Sequence, residues 1–288
     1  MKLATCGYEG KTISGVIIND SIIPFSEIFG KDYSMLEFIN FQNEEKLSQL
    51  PLNEKDFPGI PLDKITLLSP IPYPFRNVIC LGKNYSGHIK ELASFTGVAA
   101  NSEKPIYFTK SAYPAVAPGG FISSHQDITG MLDYEAELAV IIGKPAKNIS
   151  ADEAYDYVFG YTILNDISAR DIQKSHTQWF RGKSLDLTCP IGPWIVTAAE
   201  FNTPIELDIS CYVNGELRQS SNTRHMIFSI PFVVSELSKG MQLYPGDIIA
   251  TGTPEGVGQG FDPPKYLRPG DTTECVIENI GSLKNTIK

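Results

Sequence analysis

Leu132-Asp133-Tyr134-Glu135-Ala136-Glu137-Leu138-Ala139-Val140-Ile141-Ile142, closed by Gly143, is the stretch on which the reading of this sequence turns. Successive side chains of a strand point to opposite faces. Tyr134, Ala136, Leu138, Val140 and Ile142 therefore share one apolar face, and Glu135 and Glu137 share the other, with Cα atoms about 6.6 Å apart at two residue rises. Two anions side by side on so apolar a strand repel each other and resist burial. A divalent cation between them removes both difficulties. A solvated sheet face does so too, and the spacing by itself leaves both readings open.

A third carboxylate follows the next apolar run, Phe159-Gly160-Tyr161-Thr162-Ile163-Leu164-Asn165-Asp166, just before a polar helical segment from Ser168 to Gln173. Strand ends that face loops commonly hold ligands. Three carboxylates with no cysteine or histidine among them make a hard oxygen site. Such a site favours Mg2+ or Mn2+, with Ca2+ as a third suitable cation, over zinc.

On either side of these strands the chain divides. Gly15 to Ile23 alternates loosely like a hairpin, and Tyr33 to Leu50 carries Leu36, Ile39, Leu47 and Leu50 at helical spacing. Pro51, Pro58, Pro61, Pro70, Pro72 and Pro74 then punctuate an extended stretch in which long helices cannot form. This places a boundary near Pro70, between a small α+β domain (1–70) and a β-rich remainder (71–288). In that remainder Val78–Leu81 reads as a strand and Asn84–Thr96 as a helix. Ser150 with Glu153 fits a capping box for a helix through Val158. Pro231 and Gly240 bracket another helix. Pro245-Gly246 and Pro269-Gly270 each read as the centre of a type II turn feeding a strand. The fold class expected is α+β, rich in strands.

The bulk numbers exclude several function classes. A hydrophobic content of 42% with 20% charged residues is ordinary for a globular chain, not a disordered one. The net charge of −9 argues against a nucleic-acid partner, and it means that an anionic ligand needs a local positive site such as a bound cation. No apolar run reaches the ~20 residues of a membrane span, and Met1 to Gly7 shows no signal-peptide core. The five cysteines are scattered and never at C-x-x-C spacing, which fits a reducing cytoplasm. His125, His176 and His225 have no metal-ligand spacing and read as structural or exposed.

Arg76–His88 (RNVICLGKNYSGH), Leu132–Leu138 (LDYEAEL), Gly160–Asp166 (GYTILND) with Ser168–Gln173 (SARDIQ), Gly182–Ser184 with Pro190–Pro193, Pro245–Asp247 through Thr251–Gly258, and Asn279–Gly281 follow one another in a specific order. In that order the sequence from Arg76 onward resembles the fumarylacetoacetate hydrolase family, in its prokaryotic, acylpyruvate-hydrolase-like branch. The resemblance implies a mixed β-sandwich roll as the catalytic domain, a homodimer, and a divalent metal on the acids matching Glu135, Glu137 and Asp166. It implies a small-molecule oxo-acid substrate, a β-diketo or 2-oxo acid.

The same resemblance gives roles to residues that spacing alone does not single out. His88 and Glu91 match a pair on a mobile lid that activates water, where a histidine oriented by a carboxylate suits general-base work. Lys183 matches a lysine facing the substrate, and an ammonium there would stabilise charge developing on an enolate. Lys110, Arg170, Gln173 and Thr253 match substrate-side positions. The Gly-rich loop Thr251–Gly260 lacks the G-K-[ST] ending of a nucleotide P-loop. The activity expected is hydrolysis of a C–C bond in an acylpyruvate or fumarylpyruvate. The alternatives on the same site are oxaloacetate decarboxylation and isomerisation of a 2-hydroxyhepta-2,4-diene-1,7-dioate type of acid. An alternative of another class is a metal-stabilised binding protein without turnover.

Overall fold

The computed structural model describes residues 1–41, 57, 59–87, 91 and 104–288. His88 lies outside the described residues, as do most of the helix expected over 84–96 and residues 94–103 of the expected lid. Ser86, Gly87 and Glu91 are helical.

The chain opens with an antiparallel meander of β1 (Lys2–Tyr8), β2 (Lys11–Ile18) and β3 (Ser21–Pro24). The hairpin expected over 15–23 is the β2–β3 pair, with Ile18 opposite Ser21. Two short helices follow, α1 (Phe25–Phe29) and α2 (Met35–Phe41). Short strands β4 (Ile60–Pro61) and β5 (Thr66–Leu67) pair with β3 and β1. On its other edge β1 pairs antiparallel with β13 (Ile191–Thr197), Leu3 lying opposite Ile195. The N-terminal strands are thus hydrogen-bonded into one sheet with the later ones, and residue 70 does not divide that sheet.

The sheet continues through β6 (Val78–Gly82), β7 (Ile106–Lys110), β10 (Ala136–Ile142), β11 (Val158–Asn165) and β16 (Ile248–Ala250). Its order is β4-β3-β2-β1-β13-β11-β10-β16-β6-β7. β16 and β6 run parallel and β10 lies antiparallel to both its neighbours, so the sheet is mixed. A second sheet has the order β15-β14-β17-β18-β8, built from β8 (Phe121–Ile122), β14 (Asp208–Val213), β15 (Glu216–Asn222), β17 (Thr272–Ile277) and β18 (Gly281–Ile287). Between β7 and β13 lie β9 (Leu132–Asp133) and β12 (Ser168–Ala169), which pair only with each other, and the one-turn helices α3 (Arg170–Ser175) and α4 (Phe180–Lys183). Helix α5 (Ile230–Ser238) completes the set. The strand-rich α+β class and the sandwich with mixed sheets are as the sequence led one to expect.

The alternation read in the sequence separates two cores. Leu132, Tyr134, Ala136, Leu138, Val140 and Ile142 pack with Ile209, Cys211, Cys275 and Leu283 of the second sheet. Ala139 and Ile141, pointing the other way, join Phe25, Phe38, Ile39 and Ile195 under the N-terminal helices. Both faces of β10 are therefore buried, all seven of its residues included. A solvated face for the two glutamates is ruled out.

Two expected elements come out shorter. The strand expected over 132–142 breaks at Tyr134–Glu135. There Asp133 Oδ1 accepts the Tyr134 N–H and Asn165 Oδ1 accepts the Glu135 N–H, so two consecutive backbone donors leave the ladder. The capping box forms, Ser150 N–H and Oγ–H both donating to Glu153. It starts only a 3-10 turn (Ala154–Tyr157), because the chain enters β11 at Val158. The Pro-Gly turns are as expected: Asp247 N–H donates to Tyr244 O and Asp271 N–H to Arg268 O, with Gly246 and Gly270 at positive φ.

Candidate metal centre

The first residue of β10 lies opposite the last of β11, Ala136 against Asn165, and Asp166 N–H donates to Glu135 O at 2.8 Å. This register brings the three sequence-predicted acids to one place. Glu135, Glu137 and Asp166 each offer a carboxylate oxygen, and those oxygens lie within 4.8 Å of one another. They are 5%, 1% and 0% exposed, far too buried to be held apart by water alone.

Three cations surround them. Lys183, at the end of α4, donates from Nζ to Glu135 Oε2 at 2.6 Å and to Asp166 Oδ2 at 2.7 Å, with its ammonium 5.2 Å from the centroid of the Phe108 ring. Arg170, at the start of α3, reaches Glu135 Oε1 with Nη1 at 2.6 Å and Asp133 Oδ2 with Nε at 2.8 Å. Lys110, at the end of β7, donates to Ile167 O at 2.8 Å and to Lys183 O. Its Nζ is 3.1 Å from Asp166 Oδ1, off the hydrogen-bond direction, so that oxygen has an ionic neighbour and no hydrogen bond.

The electrostatics follow from this count. Among the described residues, four buried carboxylates (Asp133, Glu135, Glu137, Asp166) face three cations (Lys110, Arg170, Lys183), and with all of them ionised the formal count leaves one negative charge in excess. It falls on Glu137, whose Oε2 accepts the Gly252 N–H at 2.8 Å and which has no cation within ion-pair distance among the described residues. Burial, with Asp166 and Glu135 adding to it, pushes the Glu137 carboxyl well above the ordinary range, against the opposing pull of Lys183 and Gly252. Burial disfavours the Lys183 ammonium, but Asp166 and Glu135 outweigh it and hold the lysine charged.

A divalent cation fits this set. The donors are all hard oxygens, the excess charge is negative, and Asp166 Oδ1 is a buried acceptor without a hydrogen bond.

The remaining predicted residues are arranged around the cluster. Gln173 Oε1 accepts from Arg170 Nη1 at 3.2 Å, and Arg170 Nη2 is buried without a hydrogen-bond partner. Thr253 is buried, its hydroxyl donating to Ala136 O at 2.9 Å and accepting from Gln219 Nε2 at 2.8 Å. Glu91 Oε1 accepts the Gly256 N–H at 2.9 Å, which ties Glu91 to the Gly-rich loop. His125, His176 and His225 belong to no ligand group among the described residues.

Two participants were missed in the sequence. Asp133 has the same strand parity as Glu135 and Glu137, a signal that was available. Asn165, next to Asp166, holds Glu135 N–H with its side-chain oxygen and donates to Thr273 Oγ1 at 3.3 Å, and nothing in its spacing marks it.

A family model described as Fumarylacetoacetate (FAA) hydrolase C-terminal matches residues 77–288. The protein named Oxaloacetate tautomerase YisK from Bacillus subtilis (strain 168) is 53% identical over 226 residues, 78% of this chain and 74% of that protein. The solved structure of a fumarylacetoacetate hydrolase (EaFAH) from the psychrophile Exiguobacterium antarcticum superposes with a TM-score of 0.87 at 42% identity, covering 100% of this chain and 99% of the other. Maleylpyruvate hydrolase from Sphingobium sp. SYK-6, solved in complex with manganese(II) ion and pyruvate, has a TM-score of 0.80 at 30% identity and covers 100% and 98%. The relatives carry hydrolase, isomerase and tautomerase names. Among the described residues no helix is long and apolar enough to cross a membrane.

Proposed function

The chain belongs to the fumarylacetoacetate hydrolase family, and from that premise we propose that it is a divalent-metal-dependent enzyme interconverting the keto and enol forms of a small 2-oxo dicarboxylic acid of the oxaloacetate type. The observation that carries this reading is the buried group Glu135, Glu137 and Asp166 with Lys183 hydrogen-bonded to two of its members. Identity of 53% over 78% of the chain to a protein named as an oxaloacetate tautomerase, against 42% and 30% over the whole chain to ones named as a fumarylacetoacetate hydrolase and a maleylpyruvate hydrolase, favours tautomerisation over C–C hydrolysis.

Tautomerisation moves one proton from the carbon beside the oxo group to the oxo oxygen, while C=O becomes C–OH and the adjacent C–C becomes C=C; no bond between heavy atoms is broken. A Mg2+ or Mn2+ ion on the three carboxylates would supply a Lewis acid for the oxygen on which negative charge grows. The chain's own residues divide the rest. Lys183, kept charged by Asp166 and Glu135, is a donor and not a base, and it stabilises that developing charge. The unpartnered Nη2 of Arg170, with Gln173 beside it, offers a buried donor for a substrate carboxylate. Thr253, its hydroxyl hydrogen engaged by Ala136 O, orients the Gly-rich loop and keeps the strand end in place. Glu91 and His88 form the proton-transfer pair. Lys110 braces Asp166 from behind.

The second reading is hydrolysis of an acylpyruvate, in which the same His88–Glu91 pair activates water. Homodimerisation and a cytoplasmic setting stay part of the proposal. The first rests on the family resemblance and the second on the scattered cysteines, and light scattering of the purified protein tests the first of them.

The deciding assay follows the ultraviolet absorbance of enol oxaloacetate with added Mn2+, beside pyruvate release from a panel of acylpyruvates. Enol decay faster than the uncatalysed rate, without pyruvate from the panel, is the result expected. Pyruvate release favours hydrolysis. A metal-dependent rise in Tm with no product from any of these acids would leave a binding protein.

A further inference from the structure

Asp133 shares a strand parity with Glu135 and Glu137, yet it is not among the residues that could hold a metal ion. Its carboxylate is fully buried and takes four donors. Oδ1 accepts Tyr134 N–H at 2.9 Å and Gly258 N–H at 2.7 Å; Oδ2 accepts Gln259 N–H at 3.0 Å and Arg170 Nε–H at 2.8 Å. The guanidinium it holds by Nε is the one that touches Glu135 Oε1 through Nη1 at 2.6 Å.

We infer that Asp133 is a positioning residue for the metal centre: by holding Arg170 and the Gly-rich loop in place, it keeps Glu135 and Glu137 set for a divalent cation. The inference rests on the metal reading of the site given above. A guanidinium facing a single carboxylate closes on it with two parallel hydrogen bonds. Asp133 Oδ2 takes Nε while Glu135 Oε1 takes Nη1, so the arginine's charge is divided between two carboxylates and less of the negative charge of that ligand is cancelled. Without Asp133, the guanidinium would lose its Nε anchor, its whole charge would be left to Glu135, and it would compete with the cation.

The second arm runs through the loop. Gly258 and Gln259 are fixed by their N–H groups on Asp133, and six residues before Gly258 the same loop presents the Gly252 N–H to Glu137 at 2.8 Å. The approach is close enough to require glycine: a Cβ at position 258 would lie 2.3 Å from Lys265 O and 2.6 Å from Asp133 Oδ1. One non-ligand carboxylate thus acts on two ligands by different routes. Outer groups of this kind typically change metal affinity about 10–100-fold.

The test is an electron paramagnetic resonance titration of Mn2+ into chelator-stripped protein, which reads binding without any assay of turnover. The proteins are wild type, Asp133→Asn, the double variant Asp133→Asn/Arg170→Gln, and Gly258→Ala. Asp133→Asn should weaken Mn2+ binding about 10–100-fold, and the double variant should regain most of that loss because the competing cation is gone. Gly258→Ala, which disturbs Asp133 from the loop side, should weaken binding in the same direction and serves if Asp133→Asn does not fold. A purely structural Asp133 predicts a lower Tm with Mn2+ affinity unchanged, and that outcome overturns the inference. So does a double variant that binds no more tightly than Asp133→Asn. Wild-type protein that binds no Mn2+ overturns the metal reading itself, and this inference with it.

Discussion

Glu137 is the residue on which the chemistry of the centre depends most, because among the described residues it alone of the three acids has neither lysine nor arginine paired to it. Burial, Asp166 and Glu135 raise its carboxyl pKa well above the ordinary value, so a proton competes with a cation for it. A carboxyl raised in the folded state contributes stability that is full below its unfolded pKa and is lost as pH rises through the folded one. The metal-loaded protein has already lost that proton. The gap in Tm between Mn2+-loaded and chelator-stripped protein should therefore widen as pH rises from the ordinary carboxyl range upward. Thermal melts across that range check it, and a gap independent of pH would contradict it. At this scale the sequence was informative about which acids gather and silent about what neutralises them. Glu135 and Glu137 announce themselves by parity, whereas the cations come from positions 35 and 48 residues away from Glu135 in the chain, at Arg170 and Lys183.

At the scale of the element, β10 is held at its first residues by side chains as much as by its neighbours. Glu135 N–H goes to Asn165 Oδ1 at 3.1 Å, Ala136 N–H to Gln219 Oε1 at 3.0 Å, and Ala136 O receives the Thr253 hydroxyl. This is why the strand read from its alternation as one run over 132–142 is two in the fold. The pattern reports which face each side chain takes; it does not report where a side chain steals a ladder donor. Asn165→Leu keeps the branched shape and heavy-atom count of the side chain but leaves the buried Glu135 N–H without an acceptor. It should cost about 1–3 kcal/mol in chemical denaturation, together with weaker Mn2+ binding. A loss of stability with unchanged metal affinity would show that Asn165 supports only the strand. The helix expected over 150–158 teaches the same limit from the other side. Its capping box is real, but the demands of β11 end it after one turn.

For the whole molecule, the β-rich class was legible in the short strands and turn residues that follow Arg76, and the sandwich was legible only through the family resemblance. Proline density suggested a boundary near residue 70, and nothing in composition reveals that β1 pairs across it with β13. Strand pairing between segments nearly 200 residues apart leaves no local mark, since only the register of Lys2 with Val196 and Leu3 with Ile195 records it. Phe25, Met35, Phe38 and Ile39 from the N-terminal part also share a core with Ile141, Leu164 and Ile195. Deleting residues 1–70 should consequently bare both the β13 edge and that core, giving insoluble protein or protein without a cooperative melt. A soluble 71–288 fragment with a wild-type Tm would contradict this and make the first part an independent domain.

The acid cluster, its three cations and the sheet that carries them are joined by the claim that a divalent cation bound by Glu135, Glu137 and Asp166 drives turnover of a 2-oxo acid. Mn2+-dependent conversion of enol oxaloacetate, followed in wild-type protein and in Glu137→Ala, tests that claim most directly. The account predicts rapid conversion by the wild type with Mn2+, loss of it on chelation, recovery on adding the ion back, and none of this in Glu137→Ala. Conversion by chelated wild type at the full rate, or by Glu137→Ala with undiminished dependence on Mn2+, would contradict it.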